Sequence, residues 1–275
     1  MTSGGVGCGH RTRTASAPGG DIRHPASGGS VTPGRPRNAA TVTPMTEVQE
    51  YRQHRFRRPA GACELLIVRH GESAPEREDR PFPQVGGQGD PELSPAGHEQ
   101  AQRVAERLGH EDVGAIYVTT LQRTVQTAAP LAARLGLVPR VEPDLREVYL
   151  GEWEGSFRRN FAEGHPIVAR ALSEGRWDVI PGAEPHDEFS ARVRAGVDRI
   201  ASAHPDECVV VVVHGGVIGR ILAEAAGSTN GFAFVGADNG SVSHVVVTPD
   251  RWIIRCFNDT SHLRQKYSTA PEPLT

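Results

Sequence analysis

From about residue 62 onward, the pattern of apolar and polar positions alternates between two types, one typical of strands and one typical of helices. Residues 65–68 and 208–213 are short continuous apolar runs, which are typical of strands buried on both faces of a sheet. A further apolar run at 115–118 predicts another strand. Residues 241–247 and 252–257 predict a hairpin near the carboxyl end.

Segments of helical period separate these strands. Ser94 followed by Pro95 marks a helix start, and Gly109 and Gly136 mark helix ends. The resulting helices are predicted over residues 95–108, 121–135, 187–203 and 216–226. Because strands alternate with helices, the sequence predicts an α/β fold with a mainly parallel sheet and helices on both faces. Ligands of such sheets bind beyond the carboxyl ends of the strands.

The composition changes at the amino-terminal end. Residues 1–44 are rich in Gly, Pro, Ser and Thr and contain no aromatic residue and no leucine, so they bury too little apolar surface to offset the entropy of ordering. We expect a disordered tail and linker over 1–61, with Met45 as an alternative first residue. A folded domain is predicted over 62–267 and a flexible tail over 268–275. No apolar run approaches ~18 residues, which predicts no membrane-spanning helix.

The distribution of charge and cysteine bears on the partners of the protein. The net charge is −3, and residues 1–44 hold five arginines against one aspartate (+4), which leaves −7 for the remainder. An acidic body disfavours nucleic acid, because phosphate contacts need a basic face. The four cysteines form no CxxC pair, which favours reduced thiols and a cytoplasmic location. We therefore expect neither a nucleic-acid nor a membrane partner, and a homodimer is left open.

Two of the predicted strands end in a histidine. Arg69, His70 and Gly71 follow the first apolar run, and His214 and Gly215 follow the run at 208–213. A single histidine at a strand end is more often a structural residue, but two at equivalent ends of one sheet favour a shared site. Each histidine precedes a glycine, which predicts a close approach of the backbone to another group.

Two further segments carry candidate chemistry. Arg123 falls in the first turn of a predicted helix, where a cation opposes the positive helix terminus, so we expect it to face an anion. A glycine-bounded loop carries Glu147, Glu152 and Glu154. The spacing alone does not choose among these three carboxylates.

Five motifs occur in a fixed order between residues 63 and 257. They are Arg-His-Gly at 69–71, Leu-Ser-x-x-Gly-x-x-Gln-Ala at 93–101, Arg-x-x-Gln-Thr-Ala at 123–128, Glu-x-x-x-Gly-x-Trp-Glu-Gly at 147–155 and His-Gly-Gly at 214–216. In this order the chain resembles the histidine phosphatase superfamily, and more closely its phosphoglycerate-mutase-like branch, branch 1. The resemblance implies a three-layer α/β/α sandwich with a small helical cap at about 156–186.

The same resemblance implies roles for individual residues. His70 would be the nucleophile and Glu147 the proton donor. The phosphoryl group would be bound by four residues, which are Arg69, Arg123, His214 and Gly215. The resemblance implies no metal and no other cofactor. The expected partner is a small-molecule phosphomonoester.

The chemistry of the residues agrees with these roles. A phosphate monoester is close to a dianion at neutral pH, and guanidiniums offer it planar contacts with several donors. His70 must keep its attacking nitrogen unprotonated, for which we expect a backbone carbonyl on the other ring nitrogen. We expect His214 to be protonated and to add positive charge. Glu147 would protonate the leaving oxygen and then activate water.

Two alternatives come from other classes of protein. His70, His214 and Glu147 are also the ligand set of a non-haem iron site, although Arg69 and Arg123 would then lie beside a cation. A phospholigand-binding protein without turnover is the second alternative. A chelator separates the first of these from a phosphatase.

Within the family, the sequence favours a phosphatase over a mutase. The mutase-type pattern includes an asparagine soon after Arg-His-Gly and a longer lid with lysine. Here residues 72–76 contain no asparagine and residues 155–181 contain no lysine. In the predicted cap, Arg158 and Arg159 are candidate substrate-binding residues for a second anionic group. The sequence therefore predicts a metal-independent phosphomonoesterase for a small phosphorylated metabolite.

Overall fold

A computed structural model describes residues 50–77 and 79–263. Of the predicted disordered tail and linker (1–61), residues 1–49 lie outside these described residues, as do the alternative start at Met45 and the predicted tail at 268–275. Residues 50–61 are described and form neither helix nor strand. From residue 54 onward, the described chain belongs to one unit.

A six-stranded sheet lies at the centre of this unit. In chain order, the strands of the protein are β1 (Cys63–Arg69), β2 (Gln84–Val85), β3 (Gln88–Gly89), β4 (Val113–Val118), β5 (Arg140–Val141), β6 (Cys208–Val213), β7 (Val242–Val247) and β8 (Trp252–Asp259). The order in the sheet is β5-β4-β6-β1-β7-β8, and β2 and β3 form a separate small hairpin. The first four strands of that order are parallel, whereas β7 and β8 are antiparallel. The predicted mainly parallel sheet is confirmed.

Six α-helices lie among the described residues. They are α1 (Pro95–Leu108), α2 (Gln122–Leu135), α3 (Phe157–Ala162), α4 (Pro166–Glu174), α5 (His186–Ala203) and α6 (Gly215–Ala225). The Ser94 side chain accepts a hydrogen bond from the backbone of Gly97 and caps α1, and Gly136 ends α2 with a φ of 66°. All of these helices are too short or too polar to cross a membrane.

Different helices cover the two faces of the sheet. On one face, Leu65 of β1 packs in a cluster with Val193 of α5 and Val217 of α6. On the other face, Val68 packs with Val104 of α1 and residues of α2. Alternate valines of β6 belong to the two clusters, which explains why its sequence is apolar at every position. The three-layer α/β/α sandwich is confirmed.

The observed elements differ from the predicted ones mainly at their ends. The strand predicted at 115–118 begins at Val113, and the helix predicted from residue 216 begins at Gly215. Strands β2, β3 and β5 have two residues each, which is too short for a periodic pattern to predict. Helices α3 and α4 occupy the segment 156–186 that was predicted to be the cap.

The topology brings the two histidine-containing turns together. Strands β1 and β6 are parallel neighbours, and Arg69 is paired in register with Val213. His70 and His214 therefore leave adjacent strands at the same edge of the sheet. Strand β4, on the other side of β6, ends beside them at Val118.

Candidate active site

A cavity of about 210 Å³ lies at this edge of the sheet. Its polar end is lined by Arg69, His70, Arg123 and Glu147, which come from three of the predicted motifs. Its other walls come from the β2–β3 hairpin and from helices α3 and α4. The loop before α3 and the segments 177–180 and 232–237 complete the lining. The structure thus brings together the side chains that the sequence analysis singled out across 78 positions of the chain, from 69 to 147.

His70 is buried and held at both ring nitrogens. Its Nδ1 lies 2.7 Å from the carbonyl oxygen of Gly71, and its Nε2 lies 3.2 Å from Nε of Arg123, which donates to it. Burial, followed by the charges of Arg123 and Arg69, holds the pKa of His70 well below its ordinary value. The ring is therefore neutral at pH 7, with a proton on Nδ1 and a lone pair on Nε2. The expected backbone carbonyl is confirmed.

The two arginines of the polar end are held by backbone carbonyls. Arg69 donates to the carbonyl oxygen of Ala237, and its Nε has no hydrogen-bond partner among the described residues. Arg123 donates to the carbonyl oxygen of Gly89 at 3.1 Å, and its Nη1 lies 3.9 Å from Oδ1 of Asp90. Burial lowers the pKa of Arg69 to about 10, so this guanidinium still carries its charge at neutral pH.

The amino-terminal end of α2 is capped by Asp90, a residue distant in sequence. Oδ1 of Asp90 accepts a hydrogen bond of 2.8 Å from the backbone N–H of Gln122. The carboxylate therefore satisfies an unpaired donor at the positive end of the helix. Arg123 is the next residue, and the same carboxylate oxygen lies 3.9 Å from its guanidinium.

His214 is fully buried beside His70 and is not among the described residues that line the cavity. The two ring centroids are 5.2 Å apart. Nε2 of His214 lies 3.0 Å from the hydroxyl of Thr119, and its Nδ1 has no partner in the described part of the chain. Burial, followed by the charge of Arg123, holds the pKa of His214 well below its ordinary value. The expectation that His214 is protonated is therefore wrong for this site, because the buried ring lies among guanidiniums.

Glu147 is half-buried, and its carboxylate lies at the positive end of α6. Oε2 accepts a hydrogen bond of 3.1 Å from the N–H of Gly216, and Oε1 accepts one of 3.0 Å from Val148. A Cβ atom on Gly216 would lie 2.6 Å from Oε1 of Glu147, whereas one on Gly215 would make an ordinary contact of 3.6 Å with Arg69. The close approach expected after His214 thus occurs one residue later than predicted.

Arg192 of α5 holds the backbone around Glu147. Its guanidinium donates to the carbonyl oxygens of Asp144, Arg146 and Glu147 at 2.7, 2.6 and 2.9 Å. It also forms a two-pronged ion pair with Glu184, at 2.6 and 2.7 Å. One side chain therefore joins three backbone carbonyls of the loop that carries the carboxylate.

Several motif residues hold loops in place. Oε1 of Gln100 accepts from the N–H of Glu72 at 2.7 Å, and the hydroxyl of Thr127 accepts from the N–H of Gly71 at 2.9 Å. The side chain of Asn239 donates to the carbonyl oxygen of His70 at 2.9 Å. These contacts hold the backbone that carries the nucleophile candidate. Gly71 itself lies so close to α1 that a Cβ atom would be 2.5 Å from the carbonyl oxygen of Gly97.

Arg158 extends from α3 into the cavity wall. It donates to the hydroxyl of Ser73 at 2.8 Å and to the carbonyl oxygen of Ala74 at 3.3 Å. Burial lowers the pKa of Arg158, and the carboxylates of Glu76 and Glu72 oppose that effect. Of the two arginines predicted to bind substrate, Arg158 lines the cavity; Arg159 is not among the described lining residues.

The iron-site alternative has no geometric support in the described residues. Within residues 50–77 and 79–263, no three His, Cys, Asp or Glu side chains are arranged to hold a metal ion. The two ring nitrogens of His70 instead face Arg123 and the carbonyl of Gly71.

Several residues of this site have no role predicted from the sequence, among them Asp90, Thr119, Arg192 and Asn239. Gln88 is buried, and its Nε2 donates to the carbonyl oxygen of Glu147 at 2.9 Å. Gln100 and Thr127 carried a usable signal, because they belong to the motifs. Arg192 carried none, since it lies in a helix where only the apolar positions are periodic.

Comparisons with known proteins agree with this arrangement. The profile of the histidine phosphatase superfamily (branch 1) matches residues 65–260. The chain is 35% identical over 207 residues to phosphoglycerate mutase-like protein 4 of Arabidopsis thaliana, which covers 74% of this chain and 88% of that protein. It is 33% identical over 204 residues to a metal-independent phosphoserine phosphatase of the same plant, over 73% of this chain and 83% of that protein. The solved structure of a mycobacterial glucosyl-3-phosphoglycerate phosphatase matches with a TM-score of 0.62 and 30% identity, over 72% of this chain and all of that one.

Proposed function

Because the chain belongs to the histidine phosphatase superfamily (branch 1), we propose that it is a phosphoric monoester hydrolase in which His70 carries the phosphoryl group from a small substrate to water. The observation that carries this proposal is the state of His70. Its ring is neutral, its Nδ1–H donates to the carbonyl of Gly71, and its Nε2 lone pair lies among two guanidiniums. A nucleophile needs that lone pair, and the transferred group needs those charges.

The first step transfers the phosphoryl group to the enzyme. On binding, the phosphoryl oxygens take over donors of Arg69 and Arg123, which frees Nε2 of His70. Nε2 then forms a bond to phosphorus while the ester P–O bond breaks. The electron pair of that bond stays on the leaving oxygen, which takes a proton from Glu147.

The second step releases phosphate. A water molecule gives a proton to the Glu147 carboxylate and attacks phosphorus, and the electron pair of the N–P bond returns to Nε2. The sum is ester plus water giving alcohol plus phosphate. His214 and Gly215 remain predicted phosphate-binding residues. The unpartnered Nδ1 of the buried His214 ring supports this role, as does the position of Gly215 in the cavity lining at the start of α6.

Hydrolysis is favoured over mutase-type transfer by the composition of the cap. Helices α3 and α4 contain no lysine, and two of the similar proteins above are named phosphatases.

We propose that residues 156–186 act as the cap of a domain over 62–267. Arg158 and Arg159 remain the predicted substrate-binding residues of this cap. The described cysteines are free thiols, which supports the predicted cytoplasmic location.

Hydrolysis of p-nitrophenyl phosphate by the full chain, with and without EDTA, tests this proposal. We expect activity to persist in EDTA and to fall by at least about three orders of magnitude in His70→Ala. His98→Ala is the matched control, because His98 is an exposed histidine of α1, and it should keep full activity. Protein-bound phosphate that is labile in acid and stable in alkali should form in the wild type and not in His70→Ala.

Three results would contradict the proposal in different ways. Activity abolished by EDTA would support the iron-site alternative. Full activity in His70→Ala would show that another group is the nucleophile. If neither protein is active, 3-phosphoglycerate distinguishes a mutase, which would convert it, from a binding protein, which would not.

A further inference from the structure

Much of the cavity wall beyond the polar end is aromatic. Six aromatic side chains line it, which are Phe82, Trp153, Phe157, Phe161, Trp177 and Phe232. Trp177 lies with its ring centroid 4.5 Å from that of Phe232 and 5.7 Å from that of Phe157. Phe157 is in turn 6.3 Å from Trp153, so most of these rings form one continuous wall. Val168 and Leu172 of α4 extend the wall towards solvent.

The charged residues that line the cavity balance each other. The three cations are Arg69, Arg123 and Arg158, and the three carboxylates are Glu76, Glu147 and Glu154. The two guanidiniums of the polar end match a phosphate dianion, and among the other charged lining residues outside the polar end the carboxylates of Glu76 and Glu154 outnumber the single guanidinium of Arg158.

The third guanidinium is already engaged. The side chain of Arg158 donates to Ser73 and Ala74, and Glu76 accepts from its backbone N–H at 3.3 Å. The oxygens of Glu154 accept from the N–H groups of Leu150 and Gly89, at 2.8 and 3.0 Å. A substrate carboxylate in this region would share the cavity with the carboxylates of Glu76 and Glu154, which would repel it.

We propose that the substrate is a phosphomonoester whose leaving group is a small apolar alcohol or phenol, and that the aromatic wall binds it. This inference rests on the proposed phosphatase activity and names the substrate class of the same site. The volume of about 210 Å³ is below the ~300 Å³ at which pockets begin to hold drug-sized ligands. Beyond the phosphoryl group, it accommodates about one ring or a chain of a few carbons. A second anionic group, the earlier expectation for Arg158, is the competing outcome.

A series of n-alkyl phosphates tests the inference with the full chain. Ethyl, butyl and hexyl phosphate have leaving groups of nearly equal basicity, so differences in kcat/KM report contact with the alkyl chain. Burial of one methylene should raise kcat/KM about fourfold (~0.8 kcal/mol) until the cavity is full. Butyl phosphate has two more methylenes than ethyl phosphate and should therefore exceed it by about 15-fold, and it should also exceed O-phosphoserine and 3-phosphoglycerate. The inference would be overturned if kcat/KM did not change along the alkyl series. It would also be overturned if O-phosphoserine or 3-phosphoglycerate, which carry a carboxylate besides the phosphate, gave a higher kcat/KM.

A polar substitution in the wall gives a second test. Leu172 is 44% exposed on α4, so Leu172→Asn should fold. It should lower the butyl-to-ethyl ratio of kcat/KM several-fold, because it removes part of the apolar surface. Val138→Asn is the control, since Val138 is 84% exposed and lies outside the described cavity lining; it should leave the ratio unchanged. An equal ratio in Leu172→Asn and wild type would contradict the proposed binding surface.

Binding of alkylphosphonates separates failure of this inference from failure of the proposed function. These compounds have a C–P bond in place of the ester and cannot turn over. Calorimetry should show affinity for the full chain that rises with chain length from methyl- to pentylphosphonate. If affinity rises with chain length while no alkyl phosphate is hydrolysed, the proposed apolar site is supported and the proposed phosphatase activity is contradicted. If alkyl phosphates are hydrolysed but neither affinity nor kcat/KM depends on chain length, the proposed phosphatase activity is supported and the proposed apolar site is contradicted.

Discussion

Backbone groups hold each reactive side chain of the polar end in place. Arg69 and Arg123 donate to the carbonyls of Ala237 and Gly89, His70 to that of Gly71, and Glu147 accepts from two N–H groups. Backbone partners do not change their protonation state during a reaction, so the geometry does not depend on the chemistry it supports. Such preorganisation reduces the reorganisation needed to reach the transition state.

At this scale, the role of Glu147 is tested by the basicity of the leaving group. Glu147→Gln keeps the shape of the side chain but has no proton to donate to the leaving oxygen. We expect first-turnover release of an alkyl alcohol to fall by about 100-fold to 10,000-fold. Release of p-nitrophenolate should fall much less, because this anion leaves without a proton.

Glu152→Gln is the matched control for that measurement. Glu152 is an exposed carboxylate in the same loop, so this variant should release both leaving groups at the wild-type rate. Equal losses for the two leaving groups in Glu147→Gln would exclude Glu147 as the proton donor.

Helix α5 supports the site although none of its described residues lines the cavity. It packs on the sheet through Phe189, Val193 and Val197, and its Arg192 turns back to hold the loop at 144–147. A planar guanidinium reaches three carbonyls and a carboxylate at once, which an ammonium cannot do. Arg192 is thus a positioning residue that acts through Glu147.

Arg192→Lys tests this coupling between an element and the site. Lysine keeps the charge beside Glu184 but loses most of the carbonyl contacts, so the loop that carries Glu147 is held less firmly. We expect kcat to fall about 10-fold to 100-fold while KM changes less than about threefold, because misplacement of the carboxylate affects the reaction more than substrate binding. Steady-state kinetics of an alkyl phosphate measures both constants.

Arg194→Lys provides the comparison on the same helix. Arg194 is exposed and pairs with Glu224, and its replacement should leave both kinetic constants unchanged. If Arg192→Lys lowers only the Tm, or raises KM as much as it lowers kcat, Arg192 is a structural residue and not a positioning one.

Over the whole molecule, the fold buries neutral imidazoles, and this couples its stability to pH. Burial lowers the pKa of His70, His214, His244 and His262 in the folded protein. The unfolded chain therefore binds more protons than the folded one once the pH falls below about 6.5. The stabilisation is fully present above that pH and is lost as the pH falls towards the lowered values of the folded state.

Urea unfolding at pH 7.5, 6 and 5 measures this effect. We expect the free energy of unfolding to decrease below pH 6.5, and each of these histidines contributes up to about 1.4 kcal/mol per pH unit. His214→Asn should make the decrease shallower, whereas His98→Asn, at an exposed position of α1, should not change it. A free energy of unfolding that is constant over this range, or that increases as the pH falls, would contradict the prediction.

The sequence by itself determined the order of the elements and the edge where the site lies. Apolar runs such as 208–213 and caps such as Ser94 are local patterns, and their physical causes, side-chain period and hydrogen bonds to nearby backbone, act within a few residues. His70 and His214 were predicted to meet because parallel strands end at one edge, and the register of β1 with β6 confirms it.

Only the tertiary structure decided the properties that depend on residues far apart in the chain. The neutral state of His214 results from burial beside Arg123 and Arg69, which come from other strands and helices. The hold of Arg192 on the Glu147 loop spans 45 positions, and Asn239 reaches His70 across 169. The aromatic wall joins segments from 82 to 232. Electrostatics, burial and cavity shape depend on distance in space, and the local patterns of a sequence do not encode that distance.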